Sequence, residues 1–443
     1  MDKARNTAVR ILHEVHEKGA YANVALAREL RRADLSDMDR RFVTELVYGA
    51  VKAGDTLDWI LRRYVNRSLK KIEPMVRDIL RLGIYQIFYL NKVPASAACN
   101  TAVELTKKYS NMGTAKFVNA VLRTAVREPE KAKFPSGKGH GVKELALQSM
   151  HPYWLVKRWV REFGFHGARD LCFFNNSEAP LSVRTNTLKG SRKDLLDALT
   201  KAGAEAQESA WTPEGLIITK HGSLDALLPL QQGFCQVQDE SSMLVAHVVD
   251  PQPGEFVLDC CSAPGGKTTH LAALMQDKGR IVSGDIYEHK LARIEENAKR
   301  LGISIIETDR IDAREVGEEY WSMADRVLVD APCSGLGVLR RKPDARWNKT
   351  AEEIDALPAL QLEILTSAAK AVKAGGVLVY STCTIEPQEN QEVVKAFLAE
   401  NPDFCLENTG SFLPGEKRDE QMIQLYPQVD GTDGFFIARM RRK

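Results

Sequence analysis

The chain has 443 residues, 44% hydrophobic and 27% charged, with a formal net charge of +2, which is the composition of a globular protein with room for two or three full-sized cores. It contains no run of eighteen apolar residues, which excludes a membrane-spanning helix. Its eight cysteines form no CxxC pair and no Cys/His ligand spacing, which excludes a disulfide framework and a zinc-ligand pattern.

The start, Met1-Asp2-Lys3-Ala4-Arg5-Asn6, lacks the apolar core of a secretion signal. The expected location is therefore cytoplasmic, with reduced thiols. Charge is unevenly spread. Residues 1–134 hold 25 Lys+Arg and 15 Asp+Glu, leaving 36 basic and 44 acidic residues of the chain's 61 and 59. A basic domain on an acidic body points to a polyanion-binding module attached to a catalytic one.

Residues 1–134 read as all helix. Val9, Leu12 and Val15 repeat at helical spacing. Ser36 and Asp39 form a capping-box pattern ahead of Phe42, Val43, Leu46 and Val47. The stretch Ile79 to Leu90 is apolar on nearly all sides, as in a core helix. Further helical stripes run through Ala102 and Leu105, and through Phe117, Val118, Val121 and Leu122. Glycine-rich polar chain in 135–144 marks a linker. Residues 145–240 mix types: strands at Leu181–Asn186 and Leu216–Ile218, with a helix around Leu195–Leu199 between them, predict a small α+β subdomain.

From 241 to 443 the pattern is regular. Strands at Phe256–Cys260, Arg280–Asp285, Ser304–Thr308, Arg326–Asp330 and Gly376–Ser381 alternate with helices at Lys267–Gln276, Glu288–Leu301 and Leu357–Val372. Strict alternation predicts a doubly wound, mostly parallel sheet of Rossmann-like α/β type. The whole is thus an all-α N-terminal domain, a small α+β subdomain and an α/β catalytic domain.

Ligands bind such a sheet at the carboxyl ends of its strands. The first strand runs into Cys261-Ser262-Ala263-Pro264-Gly265-Gly266-Lys267, whose paired glycines permit a tight turn and close approach to a ligand. The spacing is neither a dinucleotide fingerprint nor a Walker loop, so a diphosphate cradle is not expected. Asp285 stands where a carboxylate accepts ribose hydroxyls, Asp312 (or Asp309) where an adenine edge would lie, and Asp330 ends the next strand. A nucleoside-type cofactor without phosphate fits this set, and S-adenosylmethionine is such a molecule.

Two strands, the one ending at Asp330 and one further, each deliver a thiol to the same rim: Cys333 in Asp330-Ala331-Pro332-Cys333-Ser334-Gly335 and Cys383 in Tyr380-Ser381-Thr382-Cys383-Thr384. Paired thiols there point to covalent chemistry on an electron-poor ring. Only the thiolate adds, so a nearby cation is required, with Lys267 and Arg340 as candidates. Asp330, if buried and protonated, would donate to a ring nitrogen. The residues alone do not choose between the two thiols.

These motifs, with Arg340-Arg341-Lys342-Pro343-Asp344, Glu389-Asn390, Gln236–Ser242 and Asp433-Gly434-Phe435-Phe436-Ile437-Ala438, resemble the RNA cytosine-5 methyltransferases of the NOL1/NOP2/Sun family. Leu35–Phe42 and Phe117–Arg123 resemble NusB, a helical RNA-binding fold. The resemblance implies a cytosine of small-subunit (16S) ribosomal RNA as substrate and S-adenosylmethionine as methyl donor. It makes Cys383 the nucleophile and Cys333 the group that assists release. Arg340, Arg341 and Lys342 would hold phosphates near a flipped base, and Arg40 and Arg41 would add contacts from the helical domain. A monomer is expected. Two rivals are a DNA cytosine methyltransferase using Cys333 and a non-enzymatic RNA-binding or ribosome-assembly factor.

Overall fold

A computed structural model describes residues 2–136, 141–222, 224 and 227–443. Residues 137–140 of the expected linker lie outside the described residues. The chain divides into two compact units. One holds residues up to Ser177 together with Leu339–Lys349; the other holds Glu178–Val338 and Thr350–Lys443.

The first unit is helical, as expected. Its helices span Lys3–Lys18, Ala22–Arg32, Asp37–Leu61, Pro74–Tyr89, Ala95–Tyr109, Met112–Arg127, Gly141–Gln148 and Tyr153–Phe174. The Ser36 side chain caps the third helix by accepting from the Asp39 N–H, which satisfies one orphan donor of the first turn. Leu12, Leu46, Leu57, Leu80 and Leu122 are fully buried in its core. The helix read as apolar on nearly all sides from Ile79 also carries Arg81, and Asp78 just before that stretch. Arg81 makes a two-pronged bond to Asp58 (2.7 and 2.8 Å) and a 3.0 Å bond to Asp78, which His16 also contacts at 2.8 Å. Buried charge is tolerated there because every charge has a partner.

The observed units differ from the expected boundaries at 134 and 145. Helices 141–174 pack with the N-terminal helices, and so does the segment 339–349. Arg346 explains the second part. Fully buried, it donates to the Met150 carbonyl (3.0 Å), to Asn176 Oδ1 (2.8 Å) and to the Asn175 carbonyl (3.2 Å). A guanidinium thereby satisfies carbonyls just past a helix C-terminus, where positive charge is favourable. Trp347 adds an Nε1–H bond to the Lys52 carbonyl, 3.1 Å.

The second unit contains two sheets. The small one has four antiparallel strands, β1 (Leu181–Thr185), β2 (Glu205–Glu208), β3 (Gly215–Lys220) and β4 (Cys235–Val237), in the order β2-β3-β1-β4. Leu195 and Leu199 of helix Arg192–Lys201 close its core with Val183 and Leu216. The large sheet comprises β5 (Phe256–Asp259), β6 (Arg280–Gly284), β7 (Ile306–Asp309), β8 (Ala324–Asp330), β9 (Val372–Thr382), β10 (Phe404–Leu406), β11 (Met422–Leu425) and β12 (Phe435–Arg442). Its order is β10-β12-β9-β8-β5-β6-β7, with β11 beside β12. Strands β5 to β9 are parallel, whereas β10, β11 and β12 pair antiparallel. Succession runs outward from β5 in both directions, so the switch point lies between β5 and β8, where an open sheet forms its crevice. Among the described residues, no helix is long and apolar enough to cross a membrane.

Asp259 ends β5 fully buried, with Oδ2 accepting from Thr268 Oγ1 at 2.7 Å and Oδ1 without a partner. Burial, reinforced by Asp330, raises its carboxyl from 3.8 to about 7.

Two predictions follow from these buried groups. Replacing Arg346 by Met leaves one buried acceptor, the Asn175 carbonyl, and two half-buried ones without the guanidinium, and should lower the unfolding free energy of the helical unit by roughly 1–3 kcal/mol, measured by urea denaturation. Asp259 binds its proton more tightly folded than unfolded, so it makes stability fall as pH rises from about 4 to about 7 and has no further effect above that. The total is at most about 4 kcal/mol. In Asp259→Asn this part of the decline should vanish, as read from denaturation midpoints across that range.

Candidate active site

The thiols meet because β8 and β9 are parallel neighbours with Asp330 opposite Ser381. The Ala331 N–H then donates to the Ser381 carbonyl at 2.9 Å. Cys333 lies three residues beyond Asp330 and Cys383 two beyond Ser381. Their Sγ atoms are 3.5 Å apart, and both residues are half-buried.

Lys267, in the first turn of helix Gly266–Leu274, reaches back across the strand ends. Its Nζ donates to Asp330 Oδ2 at 2.7 Å, while Ser381 Oγ donates to Asp330 Oδ1 at 2.9 Å. The ammonium also lies 4.9 Å from the Phe435 ring centroid. Burial pulls the Lys267 pKa down, but Asp330 and then Cys383 outweigh it and hold the lysine above its ordinary value. Lys267 is thus a cation whose charge acts on Cys383. Cys333 has the opposite surroundings. Besides its contact with Cys383 and burial, it faces the carboxylates of Glu389 and Asp330, and all of these push its thiol well up. Two like side chains 3.5 Å apart therefore differ in their charged neighbours.

The expected protonated Asp330 is not what the structure shows. Its side chain is 28% exposed, not buried, and its two oxygens accept from Lys267 and Ser381. The sequence pattern did not reveal this because the partners are 63 residues apart.

A cavity of about 540 Å³ opens at the carboxyl ends of β5, β6 and β8. Cys261, Ala263, Asp285, Asp312 and Asp330 line it, with apolar walls from Ile286, Ile311, Leu360 and Ile364. The turn is fastened by the Ser262 N–H and Oγ–H, each 3.0 Å from the Gly284 carbonyl, and by the Gly265 N–H on the Ser262 carbonyl at 2.7 Å. Gly265 has φ +94°, and a Cβ there would come within 3.2 Å of Ile294, so the tight turn requires glycine. Asp285 Oδ1 accepts from the Tyr287 N–H (3.0 Å), and Asp312 is paired with Arg314 (2.6 Å). Asp309 accepts from the Tyr320 hydroxyl at 2.8 Å and is not among the lining residues. Of the two alternatives, Asp312 therefore faces the cavity. Cys260 and Cys261 are pushed up by burial and remain thiols.

The C-terminal Asp433–Ala438 motif gains a physical reason. The Gly434 N–H donates to the Gly337 carbonyl at 2.8 Å, and the Gly337 N–H donates to the Cys383 carbonyl at 3.0 Å. A Cβ on Gly337 would lie 2.1 Å from the Gly434 oxygen. This close approach binds the Cys333 loop to the start of β12, a strand that the sequence pattern did not predict.

The residues expected to touch RNA belong to the helical unit. Arg41 and Lys342 are exposed and Arg40, Arg340 and Arg341 half-buried. Arg340 packs over the Phe174 ring at 4.5 Å. Elsewhere, Glu214, His247 and His270 bring one potential ligand atom each within 4.8 Å of one another, a cluster invisible to a search for local Cys/His spacing. Both Nε2 atoms are 2.9 Å from Glu214 Oε1. Glu214 is also the counter-charge that offsets the burial of Arg184, whose pKa falls to about 9. The cluster is a buried charge-compensating group.

Comparison with known proteins agrees with this geometry. The family of 16S rRNA methyltransferases RsmB/F matches residues 246–441, the NusB family residues 2–127, and the ferredoxin-like domain of RsmF/B-like methyltransferases residues 151–225. The probable ribosomal RNA small subunit methyltransferase B of Bacillus subtilis (strain 168) is 41% identical over 99% of this chain and 98% of its own. The ribosomal RNA small subunit methyltransferase B of Pectobacterium atrosepticum is 32% identical over 98% of each. Among solved structures, that of PH0851 superposes with a TM-score of 0.85 at 28% identity, covering 100% of this chain and 98% of the other. NSun6 from Pyrococcus horikoshii with SFG gives 0.59 at 27% identity over 66% and 98%. Paired thiols on a parallel rim beside a nucleoside-sized cavity, together with end-to-end similarity at up to 41% identity, make this chain a member of the ribosomal RNA small subunit methyltransferase B family.

Proposed function

We propose that the protein transfers the methyl group of S-adenosylmethionine to carbon 5 of a cytosine in 16S ribosomal RNA, through a covalent bond between Cys383 and carbon 6. The observation that carries this reading is the pair of sulfurs 3.5 Å apart, with the Lys267 ammonium acting on one and two carboxylates facing the other. The DNA-type alternative makes Cys333 the nucleophile, yet Cys333 is the thiol that its surroundings keep protonated.

The cavity suits the donor. Its size is that of a small-molecule site, and the carboxylates of Asp285 and Asp312 complement hydroxyl and amino groups and a positive sulfur rather than phosphate. The turn Cys261–Lys267 would hold the cofactor, with Asp285 at the ribose and Asp312 at the adenine edge. A related structure, NSun6 with SFG, contains an analogue of the same cofactor. When bound, S-adenosylmethionine supplies an electrophilic methyl group.

Cytosine carbon 5 is a weak nucleophile. Addition of the Cys383 thiolate to carbon 6 breaks the ring's conjugation and gives carbon 5 enamine character. The Lys267–Asp330 pair favours that thiolate. After methylation, solvent water takes the carbon 5 proton, the C–H electrons restore the C5–C6 double bond, and the C6–S pair leaves with Cys383 as its thiolate. Cys333, 3.5 Å from the departing sulfur, is the release group. The reaction needs both faces of the ring, so the base is unpaired or flipped. On this reading the protein works in the cytoplasm, as a monomer, with Arg40, Arg41, Arg340, Arg341 and Lys342 contributing phosphate contacts.

Cys383→Ser should lower methylation of 16S RNA by at least about 10³-fold and form no adduct. Cys333→Ala should accumulate a protein–RNA adduct that survives denaturing electrophoresis. An adduct in Cys383→Ser, with none in Cys333→Ala, would reverse the assignment. Charge reversal at Arg40 and Arg41 should weaken RNA binding and reduce its log–log salt slope by about 2; an unchanged slope excludes those arginines from phosphate contact.

A further inference from the structure

Glu389 forms and breaks no bond in the chemistry derived above, where it enters only as a charge facing Cys333, yet it stands between the two thiol loops. It ends a short 3₁₀ turn after β9 and is fully buried. Its Oε2 accepts from the Ser334 N–H at 2.8 Å and from Gln361 Nε2 at 3.0 Å. Its Oε1 accepts from Ser334 Oγ and lies 3.2 Å from Thr384 Oγ1. Ser334 follows Cys333 and Thr384 follows Cys383. The two hydroxyls are themselves 2.7 Å apart. Two hydroxyl protons thus serve three contacts, so Thr384 reaches the carboxylate directly or through Ser334 Oγ. Gln361 also donates to the Pro332 carbonyl at 3.0 Å, and the Glu389 carbonyl accepts from the Tyr380 hydroxyl at 2.6 Å.

We propose that Glu389 is a positioning residue: its carboxylate clamps the Cys333 loop to the Cys383 loop and so sets the separation of the two sulfurs. The inference rests on the reading of both thiols as reacting groups. The chain on both sides of Cys333, at Pro332 and Ser334, is tied to the carboxylate directly or through Gln361. On the Cys383 side, Thr384 and Tyr380 are tied to the same residue. The side chain must only accept here, because every neighbour donates. An ionised carboxylate has that capacity, whereas an amide of the same shape has only one accepting atom and presents two N–H donors to a site that holds donors already. A carboxylate is also the group that brings negative charge to Cys333 without touching its sulfur. Positioning within about half an ångström matters for a step in which one sulfur leaves beside another.

The test uses the full-length protein and two readouts. The first is closure of the Cys333–Cys383 disulfide on exposure to oxidised glutathione. One thiolate attacks it and releases one reduced glutathione, and the second thiolate displaces another, so two protein thiols are oxidised and one disulfide reagent is reduced. Peptide mass mapping follows both the mixed disulfide and the closed pair. The second readout is kcat and KM for methylation. In Glu389→Gln, closure should slow at least tenfold with the mixed disulfide accumulating. Its kcat should fall about 10²-fold, while KM for S-adenosylmethionine stays within twofold. A role in global stability alone would lower the melting temperature without retarding closure in the folded protein. If closure and kcat both stay within threefold of wild type, the proposal fails. Should Glu389→Gln fail to fold, the double variant Ser334→Ala/Thr384→Val removes the hydroxyl contacts and keeps the carboxylate. It must then show the same two losses in smaller measure, and wild-type behaviour overturns the inference. A wild-type protein that closes the disulfide but makes no 5-methylcytosine would instead refute the cytosine reading, independently of the clamp.

Discussion

The site depends on one register. Parallel pairing of β8 with β9 sets Asp330 opposite Ser381, and every catalytic distance follows from it. A slip of one residue would reverse which face each side chain occupies. Lys267 would then lose Asp330, and the two sulfurs would no longer share a rim. The register is secured by burial on both faces. Val327, Val329, Leu378 and Tyr380 are sealed into one core, and Leu328, Val377 and Val379 into the other. Hydrophobic pairing along the strands thereby fixes polar chemistry at their ends.

Electrostatics then makes two identical side chains unlike. Neither sulfur is distinguished by its own residue type or by the strand that carries it. The asymmetry comes from the neighbours, with an ammonium acting on Cys383 and carboxylates facing Cys333. The paired charge of Lys267 and Asp330 is also bonded by Ser381. The cavity sits at the switch point of the same sheet, which places the two thiols and the small-molecule-sized space on one edge.

Much of this was legible in the chain before any coordinates. The parallel strands announce themselves as short apolar runs ending in Asp or Cys. The Ser36 cap and the Gly265-Gly266 turn are local signals, and both are present, the cap through the Asp39 N–H and with the Asp39 carboxylate on the Ser36 hydroxyl in place of the reciprocal bond of a capping box. What escaped reading is non-local. The role of Glu389 depends on Ser334, 55 residues away. The ion pair of Asp330 with Lys267 spans 63 residues. Strand β12 pairs antiparallel with β9, which a run of alternating strands and helices does not foretell. The Glu214 cluster joins a turn and two helices. The expected boundary near 134 rested on composition, whereas the observed division follows side-chain partnerships such as that of Arg346 with Asn175 and Asn176.

That last feature bears on how the protein came to be assembled. The chain leaves the α/β unit at Val338, five residues past Cys333, threads eleven residues through the helical unit and re-enters at Thr350. No single cut therefore separates the two halves. A fragment beginning after Ser177 would strand a guanidinium and an indole built for enclosure, each without the carbonyls that hold it. The helical unit is therefore not a detachable accessory: its own fold includes residues 339–349, and shuffling one half without the other would require redesign of that excursion.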